Sequence, residues 1–119
     1  MKKIYYLSTC STCSRILKDL DGLLSEFKLQ DIKTEQITPD QIEQMHALSG
    51  SYDSLFSRRA MKYKSLGLGD KDLTEDDYKN YILEEYTFLK RPVFVIEDEI
   101  YIGNSSKIVE AVRSKLTNN

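Results

Sequence analysis

The spacing of apolar residues predicts a strand followed by a helix near the start of the chain. Apolar and aromatic residues run without interruption from Ile4 to Leu7, as in a short buried strand. Further apolar residues then recur every three or four positions, on one face of an amphipathic helix that starts near Ser14. They are Ile16, Leu17, Leu20, Leu23, Leu24 and Phe27. A weaker strand pattern covers residues 29–33, so the segment predicts a βαβ unit with parallel strands.

The middle of the chain has the pattern of several helices. Thr38 is a good N-cap residue and Gln41 completes a capping box, so a helix is expected to begin there and to end before Gly50. The glycine-containing residues 66–70 predict a loop, and Thr74 caps another helix. The predicted buried positions of that helix are Tyr81, Ile82, Tyr86 and Leu89.

The last third of the chain predicts a hairpin followed by a helix. Residues 92–96 and 100–102 are apolar runs of strand length, separated by three acidic residues that suit a tight turn. Ser105 then caps a final helix with an apolar stripe. The stripe consists of Ile108, Val109, Val112 and Leu116.

The predicted order is therefore β-α-β, a helical stretch, and β-β-α, which is the order of the thioredoxin fold. We predict an α/β protein with a mixed four-stranded sheet flanked by helices. The prediction places one thioredoxin-like domain over residues 1–119, with a helical insertion at about residues 38–89.

Composition and charge limit the classes of partner. A chain of 119 residues, 40% hydrophobic and 30% charged, is typical of one ordinary soluble domain. Its net charge of −2 predicts no long-range attraction to nucleic acid or to an anionic membrane. The apolar run before Ser8 is too short for a signal peptide or a membrane span, so we expect a cytoplasmic protein.

Cys10 and Cys13 are the clearest candidates for chemistry. They are the only two cysteines, and they lie where the first strand leads into the first helix. Unpaired N–H groups and the helix dipole favour a thiolate at that position, and the thiolate is the nucleophilic form. A buried pair of small residues is one alternative. Zinc is another, although two thiols and His46 leave a tetrahedral site incomplete, and we expect no metal and no bound cofactor.

Two arginine-containing segments are the other candidates. Pro92 opens a strand, and X–Pro bonds adopt the cis form at modest cost, so we expect the cis proline that stands opposite the cysteines in thioredoxin-like folds. With the cis proline at that place, Arg91 would project near the thiols. An ordinary trans proline is the alternative. The adjacent Arg58 and Arg59 are either solvated surface or guanidinium donors for an oxyanion.

Together these residues resemble the arsenate reductase family, which also includes the Spx regulators. Cys10 stands where the family has its reactive cysteine, residues 56–68 resemble its arginine-containing segment, and residues 90–95 resemble its Arg-Pro-hydrophobic strand. The resemblance covers nearly the whole chain and implies a bacterial thiol oxidoreductase.

The resemblance also implies a mechanism. The Cys10 thiolate attacks an oxyanion such as arsenate, or a disulfide, and Cys13 resolves the intermediate. Arg59 and Arg91 take the roles of family arginines, with Arg58 as the alternative to Arg59. The predicted substrate-binding residues are Ser11, Thr12, Arg58 and Pro92. An external thiol donor, either glutathione with glutaredoxin or thioredoxin, completes the cycle. Reduction of some other substrate by the same thiols is a further reading.

Two departures from the reductases favour a regulator as the alternative. Glutaredoxin-coupled reductases carry a lone cysteine in this loop, whereas Cys13 is present here, and their third arginine is absent from residues 101–104. Loss of one guanidinium from an oxyanion site costs on the order of 1.5–3 kcal/mol. In the Spx-like alternative, a Cys10–Cys13 disulfide switches binding to RNA polymerase. Gly50 lies near the position of a family glycine that contacts the polymerase, although a helix C-cap explains it more simply.

Overall fold

A computed structural model describes residues 1–118. The strands are β1 (Lys2–Tyr6), β2 (Lys28–Asp31), β3 (Val93–Ile96) and β4 (Glu99–Ile102). The helices are α1 (Ser11–Asp19), α2 (Pro39–Ser49), α3 (Met61–Ser65), α4 (Glu75–Glu84) and α5 (Ser106–Thr117). Short 3₁₀ turns cover Asp53–Leu55, Leu68–Asp70 and Tyr86–Phe88. Within this part of the chain, no helix has the length and apolar character needed to cross a membrane.

The four strands form one mixed sheet in the order β2-β1-β3-β4. β1 pairs with β2 in parallel, whereas β1 with β3 and β3 with β4 are antiparallel. The predicted thioredoxin-like fold class is confirmed. β3 is buried at every position, which fits its apolar sequence and its place inside the sheet.

The chain divides into two compact units. The first contains Met1–Glu35 and Arg91–Asn119, and therefore the whole sheet with α1 and α5. The second contains Gln36–Lys90, and therefore α2, α3 and α4. The single domain with an insertion at about residues 38–89 stays a prediction.

The hydrophobic core of the first unit lies where α1, α5 and the sheet contribute apolar side chains. Its buried members are Ile4, Ile16, Leu20, Phe27, Phe94, Ile96 and Val112. The apolar stripes of α1 and α5 explain which residues face this core, because residues three or four apart share a helix face. Partly buried Leu23, Leu24, Val109 and Leu116 pack against it.

The predicted boundaries of the first helix were wrong at both ends. α1 begins at Ser11 rather than near Ser14, and it ends at Asp19. The apolar periodicity continues to Phe27, but Gly22 has φ +91°, which glycine adopts readily and which interrupts a right-handed helix. Successive turns after the helix still bring Phe27 into the core, so the prediction was right about the burial of Phe27 and wrong about its helical conformation.

The caps of the second unit were predicted correctly. The Thr38 hydroxyl accepts from the Gln41 N–H at 3.1 Å, and the Gln41 side chain accepts from the Thr38 N–H, also at 3.1 Å. Thr74 and Asp77 form the same reciprocal arrangement at the start of α4. α2 ends at Gly50, which has a left-handed backbone.

Two details of the second unit were missed. α3 had not been predicted, and part of the predicted loop at residues 66–70 is a 3₁₀ turn. α4 ends at Glu84, so Tyr86 and Leu89 lie beyond the helix, although Leu89 is buried as expected.

Candidate functional site

Cys10 is the N-cap residue of α1. The loop between β1 and α1 turns at Leu7, whose carbonyl accepts from the Cys10 N–H at 3.0 Å. Cys10 has an extended backbone, with φ −93° and ψ 111°, and its own carbonyl accepts from Ser14 N–H at 3.1 Å. This geometry sets the Cys10 side chain at the end of the helix where backbone N–H groups have no helical acceptor.

The surroundings of Cys10 lower the pKa of its thiol. Partial burial raises that pKa, but hydrogen bonds from the Cys13 N–H and the Cys13 thiol, together with the charge of Arg91, outweigh the burial. The Thr12 N–H adds a further hydrogen bond. Because all of these groups stabilise the negative sulfur, the site favours the thiolate at Cys10.

Cys13 is the opposite case. Its side chain is buried, with 0% of the residue exposed, and burial raises the pKa of the Cys13 thiol to about 11. Its hydrogen bond with Cys10 and the Cys10 charge act in the same direction, whereas Arg91 and a backbone hydrogen bond with Leu7 oppose them. The lowered pKa of Cys10 and the raised pKa of Cys13 make Cys10 the hydrogen-bond acceptor and Cys13 the donor of this pair of free cysteines.

The Arg91–Pro92 peptide bond is cis, as predicted. Pro92 is buried and directly precedes β3, whose first residue, Val93, pairs with Tyr5 of β1. The start of β3 thus lies beside the end of β1, and the cysteine loop follows that end. This register explains how residues some eighty positions apart in sequence meet, with the charge of Arg91 acting on both sulfurs.

The two residues between the cysteines occupy the first turn of α1. Ser11 is exposed and Thr12 is half-buried. Thr12 contributes its backbone N–H to Cys10, so its observed contact is made by the main chain. The structure therefore gathers Cys10, Ser11, Thr12 and Cys13 on one turn.

Asp31 was missed by the sequence reasoning. It ends β2, and its Oδ1 accepts from the Ser8 N–H at 3.3 Å, two residues before Cys10. The signal for it was available, because parallel neighbouring strands end at the same edge of a sheet. The weak pattern of β2 concealed where that strand ends.

Arg58 and Arg59 lie in the second unit and differ in their contacts. The Arg58 guanidinium donates to Asp53 at 2.7 Å and to the Tyr78 hydroxyl at 2.9 Å. It also lies 5.7 Å from the centre of the Phe56 ring. Asp53 raises the pKa of Arg58 by direct hydrogen bonding. Arg58 is thus held within its own unit.

Arg59 is exposed, and its backbone N–H donates to the Ser57 hydroxyl at 3.3 Å. Both arginines line an open surface pocket of about 560 Å³ in the second unit. The other lining residues are Ala60, Met61, Lys64 and Ser65. Three cationic side chains give this pocket a positive wall.

The described residues 1–118 contain no group of three or more histidine, cysteine or acidic side chains that could hold a metal ion. His46, considered as a zinc ligand, stacks on Tyr52 with ring centres 4.1 Å apart.

Comparison with known proteins identifies the family of the chain. The ArsC family model matches residues 5–112. Regulatory protein MgsR from Bacillus subtilis (strain 168) is 21% identical over 113 residues, covering 93% of this chain and 90% of that protein. Global transcriptional regulator Spx 2 from Bacillus anthracis is 20% identical over 104 residues, covering 87% and 79%.

Among solved structures, one described as a possible arsenate reductase from Streptococcus mutans UA159 is 28% identical, with a TM-score of 0.76. The match covers 95% of this chain and 98% of that chain. The family resemblance read from the sequence is confirmed.

Proposed function

The chain belongs to the ArsC family, and from that premise we propose that it is a cytoplasmic thiol oxidoreductase of the arsenate reductase type. One observation carries the proposal. The Cys10 sulfur lies at a helix N-terminus, where N–H groups, the Cys13 thiol and Arg91 together lower the pKa of Cys10. A cysteine with these surroundings is a nucleophile rather than a packing residue.

In the first step, the Cys10 thiolate attacks the As(V) atom of arsenate. A sulfur–arsenic bond forms and one arsenate oxygen leaves as water after protonation. The Arg91 guanidinium binds the oxyanion and offsets its negative charge. The N–H groups of the first turn of α1 receive an anion as helix N-termini generally do. Ser11 and Thr12 on that turn, with Pro92 beside it, are the proposed lining of the substrate site.

In the second step, Cys13 resolves the intermediate. Its sulfur attacks Cys10, a Cys10–Cys13 disulfide forms, and the electron pair of the sulfur–arsenic bond stays on arsenic, which leaves as arsenite. The proton of Cys13 passes to the departing oxyanion. An external dithiol, either thioredoxin or glutathione with glutaredoxin, then reduces the disulfide. No cofactor bound to the chain is required by this sequence of steps.

Arg59 is the second guanidinium that we assign to the oxyanion. Arg58 is the less suitable of the adjacent pair, because its Nη2 already donates to Asp53 and to Tyr78. Arg59 is exposed and lines a pocket with further positive charge. Its role is a proposal that substitution can test separately from the cysteines.

The second candidate function is a redox-sensing regulator that binds RNA polymerase. Two curated relatives, MgsR and Spx 2, are named as regulators, and residues 101–104 lack an arginine that the reductases have. In this candidate, oxidation joins Cys10 to Cys13 and changes the affinity for a polymerase subunit. Both functions use the low-pKa sulfur of Cys10. They differ in the molecule that the protein acts on or binds, which is arsenate for the reductase and RNA polymerase for the regulator.

The deciding experiment is arsenate-dependent oxidation of NADPH, measured once with thioredoxin and thioredoxin reductase and once with glutathione, glutaredoxin and glutathione reductase. We expect turnover with at least one donor, and none with Cys10→Ser. A folded wild-type protein without turnover in either system would refute the arsenate reductase proposal. Pull-down of purified RNA polymerase that differs between the reduced and the oxidised protein would then support the regulator, whereas equal or absent binding in both states would count against it.

A further inference from the structure

Asp31 lies beside the loop that carries Cys10. β1 and β2 are parallel, and their last registered pair is Tyr6 with Asp31, so both strands end at the same edge of the sheet. One step further, the Ile32 N–H donates to the Tyr6 carbonyl at 2.9 Å. The ends of the two strands are therefore held together just before the chain enters the cysteine loop.

The Asp31 carboxylate accepts hydrogen bonds from the two segments that follow these strands. Its Oδ1 accepts from the Ser8 N–H at 3.3 Å and from the Lys33 N–H at 3.2 Å. The Ser8 hydroxyl is also a donor, and it is the largest influence that lowers the pKa of Asp31. The carboxylate is thus ionised at neutral pH and bound to the loop.

Ser8 is close enough in sequence to control Cys10. Ser8 and Thr9 are exposed. The backbone hydrogen bond from the Cys10 N–H to the Leu7 carbonyl closes the turn that contains these two residues. A loop this short transmits the position of Ser8 to the first turn of α1. That turn supplies the Thr12 and Cys13 N–H groups that hydrogen-bond to the Cys10 sulfur.

We infer that Asp31 is a positioning residue, which holds Ser8 and so keeps the Cys10 sulfur aligned with the N–H groups at the start of α1. The inference rests on the proposed function only in taking Cys10 as the reactive sulfur. Asp31 itself makes no contact with substrate in this account.

Charge and position act in opposite directions, which makes the inference testable. The negative charge of Asp31 disfavours a nearby thiolate, whereas the positioning of Ser8 favours it. Asp31→Asn removes the charge and keeps an oxygen that accepts from Ser8, whereas Asp31→Ala removes both. We therefore expect the pKa of Cys10 to be higher in Asp31→Ala than in wild type. In Asp31→Asn it should be equal to or slightly below that of wild type.

The experiment is the pH dependence of Cys10 alkylation by iodoacetamide, followed by mass spectrometry of the intact reduced protein. At pH values below the wild-type midpoint, Asp31→Ala should react about threefold to tenfold more slowly, as expected for the loss of one hydrogen bond. Asp31→Asn should remain within about twofold of wild type. Ser8→Ala, which removes only the hydroxyl donor, should shift in the same direction as Asp31→Ala but less.

Asp98→Ala is the matched control, because it removes one exposed negative charge from the hairpin turn at the other end of β3. It should leave the curve unchanged. The inference is overturned if the curves of Asp31→Ala and Asp31→Asn coincide. It is also overturned if Ser8→Ala shows no shift while Asp31→Ala is too unstable to measure. A wild-type curve like that of an ordinary thiol would instead refute the proposed function.

Discussion

The Cys13 thiol donates a hydrogen bond to the sulfur of Cys10, three residues earlier on the same helix turn. This contact ties the two ionisation states together. While Cys10 is a thiolate, its charge and its hydrogen bond help to raise the pKa of Cys13. In the proposed mechanism, a bond between Cys10 and a substrate removes both influences, so we expect Cys13 to become easier to ionise only after that first step.

The raised pKa of Cys13 predicts a loss of stability at alkaline pH. With a folded pKa of about 11, Cys13 keeps its proton over a range in which the unfolded chain has already lost it. The unfolded state then binds fewer protons, so the free energy of unfolding falls as pH rises from about 9 towards 11. Urea unfolding at several pH values should show a smaller alkaline loss in Cys13→Ala than in wild type. Equal slopes in the two proteins would contradict this prediction.

Arg91→Ala should raise the pKa of Cys10, because the positive charge of Arg91 is one of the influences that lower it. Alkylation should become slower below the midpoint and slightly faster well above it, since a more basic thiolate is a better nucleophile. Such a crossing of the two pH–rate curves is the expected signature. Arg91→Lys, which keeps the charge, is the control and should stay closer to wild type.

Alanine substitutions of Arg58 and Arg59 should have different effects, the first on the free energy of unfolding and the second on arsenate reduction. Arg58→Ala removes an ion pair with Asp53, a hydrogen bond to Tyr78 and a cation–π contact with Phe56, and should lower the free energy of unfolding by about 1 kcal/mol.

Arg59→Ala should leave stability nearly unchanged, and it should lower kcat/KM for arsenate by about 10- to 100-fold. Thermal unfolding and steady-state kinetics on both variants provide the check. An Arg59→Ala enzyme with wild-type kcat/KM would remove Arg59 from the oxyanion site.

Gly50→Ala should destabilise the protein because Gly50 ends α2 with φ +90°. A side chain in this left-handed conformation costs about 1–2 kcal/mol. Gly69→Ala is the matched control, since a Cβ there would meet the Tyr63 ring at an ordinary 3.6 Å. Unfolding in urea measures the stability of both variants. If Gly50→Ala kept full stability but lost binding to RNA polymerase, Gly50 would belong to an interface instead of serving as a helix cap.

The sequence was sufficient for features that depend on nearby residues. The capping boxes at Thr38 and Thr74 were predictable because donor and acceptor lie three residues apart. The parallel pairing of β1 with β2 and the hairpin of β3 and β4 followed from the βαβ and hairpin patterns. The cis bond before Pro92 followed from the thioredoxin-like order of the elements, which has a cis proline at that place.

Other features could not be predicted because their causes are distant in sequence or lack a pattern. α3 carries the highly exposed Met61, 88% accessible, and contains no buried residue, so it leaves no amphipathic signal. Arg58 was indistinguishable from Arg59 because its contact with Tyr78, twenty residues away, exists only in the folded unit. The link between Asp31 and Ser8 depends in the same way on the register of β1 with β2.

The pKa of Cys10 in the reduced wild-type protein tests the central claim most directly. Alkylation rates across the pH range, with Cys10→Ser as the blank, report the fraction of thiolate at that sulfur. We predict a midpoint clearly below that of an ordinary cysteine, because helix N–H groups, the Cys13 thiol and Arg91 outweigh partial burial. A midpoint equal to or above that of an unperturbed thiol would contradict the account.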